Sequence, residues 1–123
     1  MHVISIKKLK DFWEDPKNIG AEKPLRWWYQ QVRAAMWESP ADVKTTFNTV
    51  DVVGRKTIFD VGGNKYRIIA VIDCEGHKVF IRFVLSHKDY DKGQWKKDTF
   101  ATTWIKRQKR VEKGGAKPPG GLN

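Results

Sequence analysis

Residues 50–85 read VDVVGRKTIFDVGGNKYRIIAVIDCEGHKVFIRFVL, β-rich runs broken only by Gly54, by Gly62-Gly63-Asn64 and by Cys74-Glu75-Gly76. This spacing constrains the fold more than any other feature. A parallel return between neighbouring strands needs a crossover of a dozen or more residues, whereas each break here is a short turn. The runs must pair as an antiparallel meander.

The first half of the chain carries a different period. HVISI, at residues 2–6, predicts a short first strand. From Ser5, an N-cap candidate, Ile6, Leu9, Phe12 and Trp13 recur at helical spacing until Asp15-Pro16 ends the pattern. Near Pro24 a second helix begins, in which Leu25, Trp28, Tyr29, Val32 and Met36 form one apolar stripe. Such a stripe reads as core packing rather than as a base-stacking surface. Ser39-Pro40 then opens a short helical turn.

Strand, two helices, then three or four antiparallel strands define an α+β fold with the helices on one sheet face and the other face open. A chain of 123 residues builds one such core and not a second. The domain is expected over residues 1–97, followed by a basic C-terminal extension, 98–123. After Trp95 the segment KKDTFATTWIKRQKRVEK is a candidate helix, and the last ten residues, GGAKPPGGLN, have the composition of a disordered tail.

Lys and Arg number 24 against 14 Asp and Glu, a formal net charge of +10. That balance implies an anionic partner: nucleic acid, the ribosome or an acidic protein, rather than an acidic membrane surface. No run of about 18 apolar residues is present, and MHVISIKKLK lacks the apolar core and cleavage site of a signal peptide. We therefore expect a cytoplasmic protein with no membrane partner. Cys74, the single cysteine, cannot form an internal disulfide, in keeping with a reducing compartment. Cys74 and His77 make a lone C-x-x-H, half of a structural zinc site, so neither a metal nor another cofactor is expected.

Period-two alternation sorts the strands by face. Tyr66, Ile68, Ala70 and Ile72 form one apolar set, and Val79, Ile81, Phe83 and Leu85 form another. These sets leave Lys65, Arg67, Lys78, Phe80 and Arg82 on the opposite side, joined by Lys56 from the preceding strand. Fixed cations beside a ring are what a single-stranded RNA surface needs, and an ordinary solvated sheet face is the plain alternative.

Where the last strand runs out, FVLSHKDYDKGQW places His87, Tyr90 and Lys92 beside that face. RNA cleavage without a metal needs a group to take the 2′-hydroxyl proton, cations for the phosphorane and a group to protonate the leaving 5′-oxygen. An imidazole exchanges protons near neutral pH, a phenol donates or accepts, and a lysine holds phosphate. With Arg67 these are the candidate catalytic residues; a polar cap that turns the chain is the alternative.

The motifs MHVIS-x-KKL-x-FW, VGGNKYRIIAVI and FVLSHKDYDKGQW, in this order over residues 1–97, resemble HigB-type toxins of type II toxin–antitoxin modules, within the RelE/ParE-like superfamily. The resemblance implies the RelE-like fold and a ribosome-dependent mRNA endonuclease, held inactive by a cognate helix-turn-helix antitoxin of HigA type. It also implies a phosphate role for Arg67, the arginine of the Tyr66-Arg67 pair, whereas the segment from Arg82 to Tyr90 varies across the superfamily. Two other functions remain open at this stage: a ParE-like toxin that binds a protein target, and a non-catalytic RNA-binding module for which the basic sheet suffices.

Overall fold

In the computed structural model, residues 1–100 are described. They form β1 (His2–Ile4), α1 (Lys7–Glu14), a 3-10 turn (Pro16–Asn18), α2 (Glu22–Ala34), α3 (Pro40–Thr46), β2 (Asp51–Val53), β3 (Lys56–Val61), β4 (Tyr66–Asp73), β5 (Lys78–Ser86), α4 (His87–Asp91) and a second 3-10 turn (Gln94–Lys97). The order expected from the sequence holds, with the short strand β2 as the fourth member of the meander. The candidate helix from Lys96 does not begin there, since Lys96 and Lys97 end the second 3-10 turn and Asp98 is extended, and the rest of it and the tail, from position 101 onward, lie outside the described residues.

The five strands make one mixed sheet in the order β1-β5-β4-β3-β2. β2, β3, β4 and β5 pair antiparallel as a meander, while β1 lies parallel to β5 with Val3 opposite Val79. The parallel pair is possible because α1 to α3 and the other strands intervene between β1 and β5. Gly62 and Gly63 both take left-handed φ in the turn before β4. A Cβ at Gly62 would also come within 3.0 Å of the Tyr66 ring, so this position needs glycine for space as well as for conformation.

α1 and α2 cover one face. Leu9, Leu25, Trp28 and Val32 are fully buried against Phe59, Ile68, Ala70, Val79 and Ile81. Trp28 and Trp37 meet Phe59, and Phe47 closes the same aromatic group at 5.2 Å from Phe59. Burial of each large apolar side chain contributes roughly 1.5–3 kcal/mol, so this group is a main source of stability. Met36 departs from the expected stripe: α2 ends at Ala34, Ala35 is extended, and Met36 is 66% exposed. Trp37 takes the interior position instead.

Two expectations about the second face are corrected. It is not open: Trp95, from the turn after α4, packs on Ile58 and Ile69, with Phe83, Leu85 and Tyr90 around it. And β5 does not keep one parity. Ile69 pairs with Phe83 but Ala70 pairs with Ile81, which leaves Arg82 as an extra residue in a bulge. A one-residue insertion flips every later side chain to the other face. Phe83 and Leu85 therefore join Trp95, while Val84 packs with the helix-side core.

Candidate active site

Arg67 is the second residue of β4, directly opposite Asp60 of β3 on one side and Leu85 of β5 on the other. It is 8% exposed, the one charged side chain buried among the described residues. A guanidinium at such a depth requires partners for its donors. Its Nη1 forms an ion pair with Asp60 and donates to the carbonyls of Asn64 at 3.0 Å and Tyr66 at 3.4 Å. Asn64, with its carboxamide oriented to satisfy both groups, donates to Asp60 Oδ2 at 2.8 Å and so fixes the carboxylate that fixes the arginine.

The other guanidinium nitrogen, Nη2, lies 3.2 Å from His87 Nδ1. Arginine has no acceptor, so Nδ1 must accept, which places the imidazole proton on Nε2. Nε2 in turn faces Asp91 at 3.2 Å. The backbone holds His87 there through its N–H to the Lys65 carbonyl, and the Ser86 hydroxyl caps α4 by accepting from Asp89 N–H.

Tyr90 completes the group. The Arg67 guanidinium lies over its ring at 5.1 Å, and Trp95 stacks on the ring at 5.2 Å with the planes 8° apart. Trp95 Nε1 donates to the Tyr90 carbonyl at 3.0 Å, so the indole both covers and anchors the tyrosine. Burial, and next the Asp51 carboxylate, push the Tyr90 phenol above its ordinary range, partly offset by Arg67. The phenol accordingly keeps its proton through neutral pH.

The remaining candidates fall elsewhere. Lys92 pairs with Asp89 at the end of α4. Lys65 is exposed in the turn before β4. Lys78 pairs across from Asp73, at the far end of β4 from Arg67, about 20 Å away at 3.3 Å per residue. Arg82, in the bulge, donates to both oxygens of Asp98 at 2.9 and 3.0 Å. Phe100 packs against Phe80 and beneath the Arg82 guanidinium, and the hydrogen bonds from Arg82 hold the Asp98 carboxyl below the usual range, against a smaller effect of burial, with the charges of Arg82 and Lys56 adding to them. Thus Arg67, His87 and Tyr90 are brought together, while Lys56, Phe80 and Arg82 gather around Asp98 and Phe100. The single basic face expected from alternation is divided between these two groups, with Trp95 packed on the sheet among them.

Asp60, Asn64 and Asp91 were missed as site residues. Asp60 had a legible signal: it interrupts the apolar run TIFDV at the parity of the arginine-bearing face. Asn64 and Asp91 had none, because each acts through a turn or helix geometry that composition does not display. Among the described residues no group of three His, Cys, Asp or Glu side chains could hold a metal ion. No helix among them is long and apolar enough to cross a membrane.

A mixed five-stranded sheet with two N-terminal helices on one face makes this an α+β protein, in which Arg67, His87 and Tyr90 meet where the start of β4 lies beside the end of β5. Residues 21–93 match the family model for the RelE-like toxic component of a toxin–antitoxin system, HigB_toxin. The chain is also 32% identical over 94 residues to the mRNA interferase toxin HigB of Escherichia coli K12, covering 74% of this chain and 88% of that protein. It is equally similar to the mRNA interferase HigB of Escherichia coli O157:H7, and 28% identical over 95 residues to that of Escherichia coli O6:H1, covering 75% and 90%. The chain belongs to the HigB toxin family.

Proposed function

We propose that this protein is the mRNA-cleaving toxin of a type II toxin–antitoxin module, a metal-independent endoribonuclease acting on message at the ribosome and held inactive by a helix-turn-helix antitoxin. Its relatives are named mRNA interferases. The observation that carries the reading is the convergence of Arg67, His87 and Tyr90 through mutual contacts at 3.2 and 5.1 Å.

The geometry suits metal-free transesterification. A scissile phosphate entering the site competes for Arg67 Nη2, and its engagement there frees the lone pair on His87 Nδ1. That nitrogen takes the 2′-hydroxyl proton as the 2′-oxygen bonds to phosphorus. Arg67, held by Asp60 and Asn64, presents a preorganised cation to the phosphorane. Tyr90, protonated at neutral pH, donates its proton to the 5′-oxygen as the P–O5′ bond breaks. The products are a 2′,3′-cyclic phosphate and a free 5′-hydroxyl.

Purified protein incubated with translating ribosomes should cut message at mapped positions, and Arg67→Ala should not. Intact message under conditions of confirmed ribosome association would favour a toxin that binds a protein target or RNA without cutting it. Expression of the chain without an antitoxin should arrest growth, and unimpaired growth at soluble expression would count against the reading.

A further inference from the structure

Arg67 and Tyr90 form one side of a polar cavity of about 400 Å³ whose other side the cleavage steps leave unused. Asn48 and Thr49 line it from the segment that leads into β2, Asp51 lines it as the first residue of β2, and Ile58 adds a buried apolar surface. The volume lies within the roughly 300–1,000 Å³ of small-ligand sites. Among the described residues, the side chains of Asn48 and Thr49 make no hydrogen bond, and Asp51 accepts only from the adjacent Val52 N–H. Three polar side chains with spare capacity thus face a space that begins at the proposed phosphate-binding arginine.

Charge decides what enters. Asp60 is matched by Arg67, whereas Asp51 has no cationic partner among the described residues, so it gives this wall a net negative charge. Such a wall repels phosphate and accepts N–H donors. The part of RNA that fits is a base. Stacking on Tyr90 is excluded, because Arg67 lies over its ring and Trp95 is stacked on it, so the base must be read by its edge. Adenine, cytosine and guanine each present an exocyclic amino group to a carboxylate. Uracil presents carbonyl oxygens on both sides of its one N–H, and these meet the carboxylate unfavourably.

We infer that this cavity seats a nucleobase next to the scissile phosphate, and that Asp51, with Asn48 and Thr49, selects a base bearing an exocyclic amino group over uracil. The inference rests on the nuclease reading above and names the specificity of the same site. A well-formed edge contact discriminates by on the order of 10-fold or more.

The test compares cleavage of ribosome-bound messages that differ only in the base on either side of the cut. Wild-type protein should cut faster with A, C or G than with U at one of these positions. Asp51→Asn, which keeps the shape and the contact to Val52 N–H, should bring that ratio toward one. An unchanged ratio in the variant, an equal change on all four messages, or a wild-type ratio of one at both positions would overturn the inference. Asn48→Ala, at an exposed position, gives the same readout if Asp51→Asn melts early. If wild-type protein cuts nothing, the nuclease reading fails by itself. The cavity is then judged by amide NMR shifts at Asn48 and Thr49 on titration with the four nucleoside 3′-monophosphates. Shifts with the adenosine, cytidine and guanosine forms but not uridine would sustain it, and equal or absent shifts would sink it.

Discussion

At the scale of single residues, the proposed site rests on an Arg67 that is buried and held at both Nη atoms. Arg67→Ala should reduce transition-state stabilisation by about 2–4 kcal/mol, the range for one preorganised donor, and it also leaves Asp60 without its cation. Arg67→Lys should not restore cleavage, since one ammonium cannot meet Asp60, two carbonyls and His87 together; recovery of the native rate would show that charge alone suffices. Tyr90→Phe keeps the stack on Trp95 and removes only the hydroxyl, so cutting should fall roughly 10²–10⁴-fold with an unchanged fold. The pH dependence has a definite sign. The Tyr90 pKa is raised by burial and then by Asp51, so the folded state favours the neutral phenol. That contribution to stability is complete below the ordinary tyrosine value, about 10, and is lost as pH rises through the folded value. Thermal melts of wild type should show this alkaline loss and Tyr90→Phe should show a smaller one, the remainder including the Cys74 thiol that burial also pushes up; parallel curves would refute the assignment.

At the scale of elements, the segment after β5 acts as a clasp. α4 supplies His87 and Tyr90, the following turn supplies Trp95, and Asp98 closes back on Arg82 in the bulge. Trp95 is 2% exposed, so Trp95→Ala should cost about 3–5 kcal/mol, the range for emptying a buried aromatic position. Cleavage should drop with it, because Tyr90 loses the surface it stacks on. Asp98→Asn removes one partner of a half-buried charged pair, and hydrogen bonds to charged groups contribute about 1.5–3 kcal/mol. The Asp98 carboxyl is held below its usual range by its hydrogen bonds from Arg82. Its contribution is therefore present above the ordinary carboxylate range and lost as pH falls through the lowered value. Chemical denaturation of wild type and Asp98→Asn should differ at neutral pH and converge in acid. A difference that persists in acid would mean that the asparagine costs something other than the ion pair.

At the scale of the whole molecule, the +10 charge governs association more than folding. Binding to single-stranded RNA should weaken linearly on a log–log plot as salt rises, by a slope of about −0.7 for each phosphate contacted. A flat response would assign the affinity to base and aromatic contacts instead. Association with an acidic antitoxin segment should likewise slow with salt.

The sequence by itself determined the class of structure and the residue types available where its strands end. Turns at Gly54, Gly62-Gly63 and Gly76 are too short for crossovers, and the stripe from Leu25 to Val32 has a helical period, so the meander and the helix that covers it were readable from local pattern. Arg67, His87 and Tyr90 were readable as residue types at a strand and its end. Tertiary structure alone decided which of the basic residues meet. Alternation along β5 was lost at Arg82, because a bulge is set by pairing with β4 and not by the strand's own pattern. Trp95 covers a face that composition marks as open, since a lone tryptophan in a polar segment has no periodicity to place it. The partners of Arg67 come from three separate parts of the chain, Asp60, Asn64 and His87, and only the register between strands brings them within hydrogen-bonding distance.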